Sequence, residues 1–335
     1  MHYKRKSLFT IILAVVFLIL TLFNFACASE KDNHLYRNRS EDFSVHYLNV
    51  GQGDCIFMQF PDGKNILIDC GEKDENLSEF IVKFIKGLEV ESIDYFVLTH
   101  PNSDHIGNAI DIIENFAVKT IFTPDIIEEQ LYFFPLYSSI LQAIEESQIT
   151  KRVSHYYTSI KGDNYSLGFL SPSPKSISTS SYYDFNNSFA PTSTQINAMS
   201  PIIYLQVFGR KFLFTGDTTT SQEQLVIENY LLQNYNHLLS MQVNLENIDF
   251  LKVAHHGSEG SSSTDFLNLI KPNNAIISVS GANFYGHPSD IVLERLQRIN
   301  EDISIYRTDY DGTISVLVDK QGQIEIITDK ILNEN

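Results

Sequence analysis

Residues able to hold a metal ion are concentrated in one short run, Thr99-His100-Pro101-Asn102-Ser103-Asp104-His105. Two imidazoles and a carboxylate stand there directly after the apolar segment 95–98, which has the pattern of a short buried strand. Ile106 and Gly107 follow, where a helix begins. Zinc and manganese both accept imidazole and carboxylate, and side chains at the end of a rigid strand can converge on one cation. Asp104 has a plainer use, because aspartate commonly caps a helix. Four further segments weigh against that use, each placing a ligand type where an apolar strand stops. Leu67-Ile68-Asp69-Cys70-Gly71 and Phe214-Thr215-Gly216-Asp217 end on carboxylates. Val253-Ala254-His255-His256-Gly257-Ser258 ends on a histidine pair. Tyr285-Gly286-His287-Pro288-Ser289 sets a histidine just before a helix. Ligands at strand ends along one sheet edge are how α/β proteins build sites.

The elements that must carry these residues follow from periodicity. Phe43, Val45 and Tyr47 alternate with Ser44 and His46, which predicts a strand. Strands over 55–60 and 65–69 form a hairpin through Phe60-Pro61-Asp62-Gly63-Lys64, where Pro-Asp-Gly suits a type I turn closed by a left-handed glycine. Helical spacing covers 76–88, 106–116 and 131–146, with a strand over 120–122 and β-prone stretches over 153–158 and 166–170. Residues 171–200 are rich in Ser, Thr, Asn and Pro, with Tyr182, Tyr183, Phe185 and Phe189 interspersed, and are expected to form a long loop beside the site. Beyond it strands are expected over 202–208, 211–215, 250–254, 274–279, 303–307, 313–318 and 324–328, and helices over 221–233, 264–270 and 288–299. Strands and helices alternate in both halves, so two sheets should pack face to face with helices outside.

The chain has 335 residues, 43% of them hydrophobic, with a formal charge of −17. That charge argues against broad binding of duplex DNA, which needs Lys and Arg to displace phosphate counterions. Residues 1–28 join a basic head (Lys4, Arg5, Lys6), an apolar run and Ala26-Cys27-Ala28, the layout of a secretory signal peptide. An uncleaved anchor and lipidation of Cys27 rank second and third, and each of the three places the remainder outside the cytoplasm. Residues 29–42 are expected to form a linker, and 43–330 a single domain containing the 171–200 loop. In the hairpin register Cys55 and Cys70 sit one residue out of step, which disfavours a disulfide between them.

Taken together, Asn49-Val50-Gly51-Gln52-Gly53-Asp54, the five segments above, and Tyr306-Arg307-Thr308-Asp309 with Asp311-Gly312 resemble the metallo-β-lactamase fold. Within it they are similar to the hydrolase domain of ComEC-type competence proteins. The resemblance runs from about residue 43 to 320. It implies an α/β, four-layer αβ/βα sandwich with its metal site on one edge of both sheets. It makes His100, Asp104 and His105 ligands, Asp217 a bridge between two metals, and His255 or His256 a further ligand. Asp69 and Asp54 would stand behind the ligands and orient them. His287 would lie at the substrate mouth. Two departures weaken one metal position: Asn102 replaces a His or Asp, and Asn197 and Ser200 occupy the stretch where the wider fold has another His. One tight zinc or manganese ion and a second, weaker one are therefore expected.

The expected chemistry is hydrolysis by a metal-activated water, with Asp104, Asp217 and His287 as the catalytic groups. The resemblance favours a phosphodiester substrate, either a small molecule or single-stranded nucleic acid. Two alternatives stand beside it: a phosphorylcholine-esterase-like hydrolase of cell-envelope head groups, and a degenerate, non-catalytic binding protein. Membrane contact is expected only through residues 1–28, if they remain attached.

Overall fold

In a computed structural model, residues 41–156, 158–172, 190–235 and 243–330 are described. The first half of the chain lays down β1 (Phe43–Tyr47), β2 (Ile56–Gln59), β3 (Asn65–Ile68), β4 (Ser92–Val97), β5 (Ala117–Thr123) and β6 (Thr150–Val153). A second sheet follows, with β7 (Ser159–Lys161), β8 (Tyr165–Phe169), β9 (Ile203–Val207), β10 (Arg210–Phe214), β11 (Phe250–Lys252), β12 (Asn274–Ile277) and β13 (Ser304–Arg307). The chain then returns to the first sheet as β14 (Ile314–Val318) and β15 (Ile324–Thr328). The eight-stranded sheet has the order β15-β14-β1-β2-β3-β4-β5-β6, and the seven-stranded sheet β13-β12-β11-β10-β9-β8-β7. Strands β3 to β6 run parallel in one sheet and β10 to β13 in the other.

Alternation along each strand explains the layers. Phe43, Val45 and Tyr47 of β1 and Ile56 and Met58 of β2 face inward and meet Leu205, Phe212, Phe214 and Phe250 of the other sheet. Phe57, Leu67 and Phe96 face outward beneath Ile81, Ile85, Ile112 and Ile140 of the covering helices. On the far side Tyr204, Leu213 and Leu251 do the same beneath Val226, Phe266 and Leu296. Three apolar clusters separate four layers, helix on sheet on sheet on helix, and the expected sandwich is present. Among the described residues no helix is long and apolar enough to cross a membrane. The 1–28 segment lies outside them.

Local chemistry sets the element ends. Asp74 caps the helix Glu75–Gly87 by accepting from the backbone of Asn76 and Leu77. In the hairpin, Phe60 pairs with Lys64 and Gly63 is left-handed. Ile56 faces Ile68, so Cys55 and Cys70 are offset, and both are buried free thiols.

Three expectations need correction. The β-prone stretch 153–158 falls between β6, which ends at Val153, and β7, which begins at Ser159. The helix expected over 106–116 is broken into Ser103–Ile106 and Ala109–Asn115. Gly107 packs so closely on the neighbouring loop that a Cβ there would lie 2.1 Å from the Lys73 nitrogen. Asn108 donates to the Cys70 and Glu72 carbonyls at 2.8 and 2.7 Å, pinning that loop instead of continuing a helix. The loop expected over 171–200 ends in a helix, Ser193–Asn197, set by a reciprocal capping box between Thr192 and Gln195. The Thr-x-x-Gln spacing was visible in the sequence. Residues 173–189, with the four loop aromatics, lie outside the described residues.

Candidate metal centre

The carboxyl ends of β3, β4, β10 and β11 meet at one edge of the sandwich. There they deliver Asp69, His100, Asp217 and the His255-His256 pair from both sheets. Asp104 and His105 arrive on the short helix after β4.

Asp104, His105, Asp217 and His256 form one cluster whose donor atoms all lie within 4.8 Å of one another, and they could hold a metal ion. His105 Nε2 is 3.2 Å and His256 Nε2 3.6 Å from Asp217 Oδ1. The same nitrogens are 3.9 and 3.6 Å from Asp104 Oδ2. Donors bound to a tetrahedral ion at about 2.0–2.2 Å sit about 3.3–3.6 Å apart, so these spacings suit a shared cation.

Hydrogen bonds behind the imidazoles turn their Nε2 atoms inward. His105 Nδ1 donates to Asp69 Oδ2 at 2.7 Å, and His256 Nδ1 donates to the Ser278 carbonyl at 2.8 Å. Asp69 is held in turn by the Thr99 backbone and hydroxyl at 2.8 and 2.7 Å. The Thr99 hydroxyl thereby accepts from His100 Nδ1 at 3.0 Å. Nε2 of His100, His105 and His256, with Asp217 Oδ1, is buried without a hydrogen-bond partner. Buried polar atoms are rarely left bare, and three of these, His105 Nε2, His256 Nε2 and Asp217 Oδ1, face one another within the cluster and fit a divalent cation.

The electrostatics have the same sense. Burial would lower His105, but Asp217, Asp104 and Asp69 outweigh it and hold the imidazole well above its usual range. Burial would raise Asp217, but His105 and His256 draw it well below the carboxylate range. Burial opposes the same kind of shift in Asp104, which His105 and His256 bring down to about 2. Burial drives His100 down to about 3 and outweighs Asp217 in lowering His255. In His256 the order reverses, and Asp217 and Asp104 overcome burial to raise it. The cluster thus balances its carboxylates with imidazole protons that a cation would displace.

Other expected site residues fall around this cluster. His100 Nε2 and His255 Nε2 face the second Asp217 oxygen, Oδ2, at 4.0 and 3.7 Å. Asn102 donates to Asn197 at 3.4 Å, and the Asn197 amide lies 3.4 Å from both ring nitrogens of His255. Ser200 is not turned inward as a ligand. Its hydroxyl accepts from the Asp217 backbone and meets His100 Nδ1, both at 3.2 Å, so it orients them from behind. Asp54 touches His256 only at 3.9 Å, its main partner being the buried Lys252 ammonium at 2.7 Å. Burial would raise the Asp54 carboxyl, and Lys252, His105 and His256 bring it below the usual range. Gly53 is needed beside it, because a Cβ there would strike the Asp104 carbonyl at 2.2 Å.

A cavity of about 530 Å3 opens over the cluster, lined by Asn102, Asp104, Asn197, His255, Tyr285 and His287 among others. His287 stacks on Tyr285 and meets the His255 ring at 5.4 Å. Its Nδ1 is buried without a partner. Burial, then His255 and His256, lowers it to about 4. Asn283 clamps this loop, accepting from the His287 backbone and donating to the Ser280 and His287 carbonyls. Sequence reasoning missed Asn283 and Lys252. A lysine inside the apolar Phe-Leu-Lys-Val strand was the available signal for the latter.

The metallo-beta-lactamase superfamily profile matches residues 48–165. The chain is 28% identical over 295 residues to ComE operon protein 3 of Bacillus subtilis, covering 84% of this chain and 34% of that protein. It is 25% identical over 276 residues to Recombination protein 2 of Haemophilus influenzae, covering 82% of this chain and 29% of that protein. The chain thus spans about a third of the length of these curated relatives. CmlA, a diiron beta-hydroxylase from Streptomyces venezuelae, shares the fold with a TM-score of 0.50 at 14% identity, over 81% of this chain and 53% of that one. Strand order, edge site and homology converge: the chain has the metallo-β-lactamase fold and carries a metallo-β-lactamase domain homologous to the matching part of the ComEC-family protein ComE operon protein 3.

Proposed function

We propose that the protein is an exported, metal-dependent hydrolase of phosphodiester bonds. Asp104, His105, Asp217 and His256 hold a zinc or manganese ion, and His287 faces the substrate. One observation carries this reading: Asp104, His105, Asp217 and His256 bring donor atoms within 4.8 Å of one another, and Asp104, Asp217 and His256 line an open cavity. When bound, a divalent ion supplies Lewis acidity and makes water ionisable near neutral pH.

The chain's own groups do the rest. Asp69 and the Ser278 carbonyl hold the two imidazoles in the tautomer that presents Nε2. Asp104 has a side chain 25% exposed where Asp217 has 2%, so Asp104 is the carboxylate open to accept a proton from water. His287 lines the cavity beside His255, and a ring N–H there donates to the oxygen on which charge develops. A net charge of −17 directs the site toward a small diester or a single strand and away from broad duplex contact. The names of the relatives, which refer to the ComE operon and to recombination, favour the single strand. Export rests on the basic-apolar pattern of residues 1–28, which also confines membrane contact to that segment.

The test is a hydrolysis panel on stripped protein reconstituted with Zn or Mn, using single-stranded DNA, bis-nitrophenyl phosphate, nitrophenyl phosphorylcholine and a lactone. Metal-dependent turnover of single-stranded DNA or bis-nitrophenyl phosphate, lost on chelation, is expected. Turnover of the phosphorylcholine ester alone would move the reading to head-group hydrolysis. Bound metal with no turnover anywhere would make the protein a binding module.

A further inference from the structure

The loop from Ser280 to Ser289 contributes Tyr285 and His287 to the cavity, and it is fixed on several sides. Asn283 holds it from within, accepting from the His287 backbone at 3.0 Å and donating to the Ser280 and His287 carbonyls at 2.6 and 2.7 Å. Gln52 accepts from the Ser280 backbone at 3.2 Å, which ties the loop to the turn that packs on Asp104. The Ser289 backbone donates to the Gly257 carbonyl at 2.9 Å, and a Cβ on Gly257 would lie 2.5 Å from Pro288, so the loop also seats on the His255-His256 segment. Between these anchors the chain turns at left-handed Gly286 and presents two successive aromatic rings. Tyr285 is 73% exposed although it lines the cavity, and Phe284 is fully exposed. One face of Tyr285 is taken by His287, stacked at 5.7 Å and 25°. A single exposed apolar side chain is ordinary on a protein surface. Two successive rings, clamped at the mouth of the cavity over the metal cluster, are a contact surface for what enters it.

We propose that Phe284 and Tyr285 form a stacking platform for the unpaired nucleobases that flank a phosphodiester in the cavity. Charge favours this occupant. Among the described residues no lysine or arginine lines the cavity, whereas Glu72, Asp104 and Asp217 do. Arg307, whose strand end reaches the loop where Asp309 packs on Gly281, is held by Asp309 in a two-point pair at 3.0 and 2.7 Å. Phosphates on either side of the reacting one therefore meet no cationic side chain in the cavity wall, and grip on a strand has to come from its bases. Stacking supplies it, because every base has a π-face and the contact needs no countercharge. Shape favours the same occupant. A quaternary ammonium is recognised by several aromatic faces closing round it. Here His287 covers one face of Tyr285 and Phe284 projects freely, so each ring offers a flat surface to a planar group. In a duplex the bases are already stacked on one another, so the platform selects single strands without reading sequence.

This inference rests on the phosphodiester reading above, and its test measures binding apart from turnover. Full-length protein supplied with Zn(II) is mixed with a labelled, phosphorothioate-linked oligothymidylate, which resists hydrolysis, and with an abasic strand of the same length and linkage. Binding is followed by fluorescence anisotropy. The unmodified protein should bind the thymidylate about tenfold more tightly than the abasic strand. Phe284→Ala and Tyr285→Ala should each bring that ratio toward one, with zinc content unchanged by elemental analysis. Phe284→Trp should keep the preference. Because the chain has no tryptophan, that variant carries a single reporter on the platform, and the thymidylate should quench its emission where the abasic strand does not. Equal affinity for the two strands in unmodified protein, or no binding of either, would overturn the proposal, as would a preference that neither alanine variant reduces. Quenching by phosphorylcholine and not by thymidylate would overturn it in favour of a head-group site. A base preference without hydrolysis in the substrate panel would sink the hydrolase reading and leave the platform standing. Hydrolysis of bis-nitrophenyl phosphate without a base preference would do the reverse.

Discussion

The two oxygens of Asp217 look onto different surroundings. On the Oδ1 side, His105 and His256 are buried, each is anchored through Nδ1 to a carboxylate or carbonyl, and Asp104 adds a second charge. On the Oδ2 side His100 is buried but anchored only to hydroxyls, His255 is partly open, and the remaining polar groups are the amides of Asn102 and Asn197. The contrast teaches that ligand count is only part of affinity. An imidazole backed by a charged acceptor is both oriented and more basic, while one backed by hydroxyls is merely oriented. Lys252 and Asp54 extend the charged support on the Oδ1 side as a fully buried ion pair.

The comparison breaks most severely if its shared element goes. Asp217→Ala should leave neither side able to retain metal through dialysis and should abolish hydrolysis, as read by elemental analysis alongside the diester assay. Retention of one full equivalent would show that the two sides do not share Asp217.

Next in size is the buried pair. Lys252→Met strands the Asp54 carboxylate in the interior and should cost about 3–5 kcal/mol in denaturant unfolding of the stripped protein. Adding Asp54→Leu should recover much of it, because an apolar pair of similar bulk avoids the unpaired charge. Equal stabilities for the single and double variants would mean that the pair does not support the Oδ1 side.

A smaller effect sharpens the contrast directly. Asp69→Asn keeps an acceptor behind His105 but removes its charge, and should weaken the tighter ion by about 10–100-fold in calorimetry. The Oδ2 ion should barely change, since Asp69 reaches His100 only through the Thr99 hydroxyl. Loss of both ions in parallel would contradict a division at Asp217.

The mildest change runs in the opposite direction. Asn102→Asp puts a charge on the weak side and should tighten the second ion by about tenfold, lowering the metal needed for half-maximal activity. An unchanged titration would place Asn102 outside the shell.

Donor chemistry and its placement along the chain were local properties, and the sequence by itself determined them. A carboxylate or imidazole directly after an apolar strand is a one-dimensional pattern, so Asp69, His100, Asp104, His105, Asp217 and the His255-His256 pair could be found without coordinates. The alternation of Phe43, Val45 and Tyr47 with Ser44 and His46 likewise marked β1 as a strand, and its apolar face is the one that meets the other sheet. What only the tertiary structure decided depends on atoms far apart in the chain. Ser200 orients rather than ligates, because Asp217 returns to it through a hairpin and takes its hydroxyl from behind. Lys252 is silent in an apolar strand until β11 lies over Asp54 from the other half of the chain. The helix after His105 breaks because Asn108 finds the Cys70 and Glu72 carbonyls, which no helical pattern records. The choice between His255 and His256 was open in the sequence because neighbouring identical residues carry identical chemistry. Two left-handed backbone angles separate them, and those angles give each ring a different oxygen of one carboxylate.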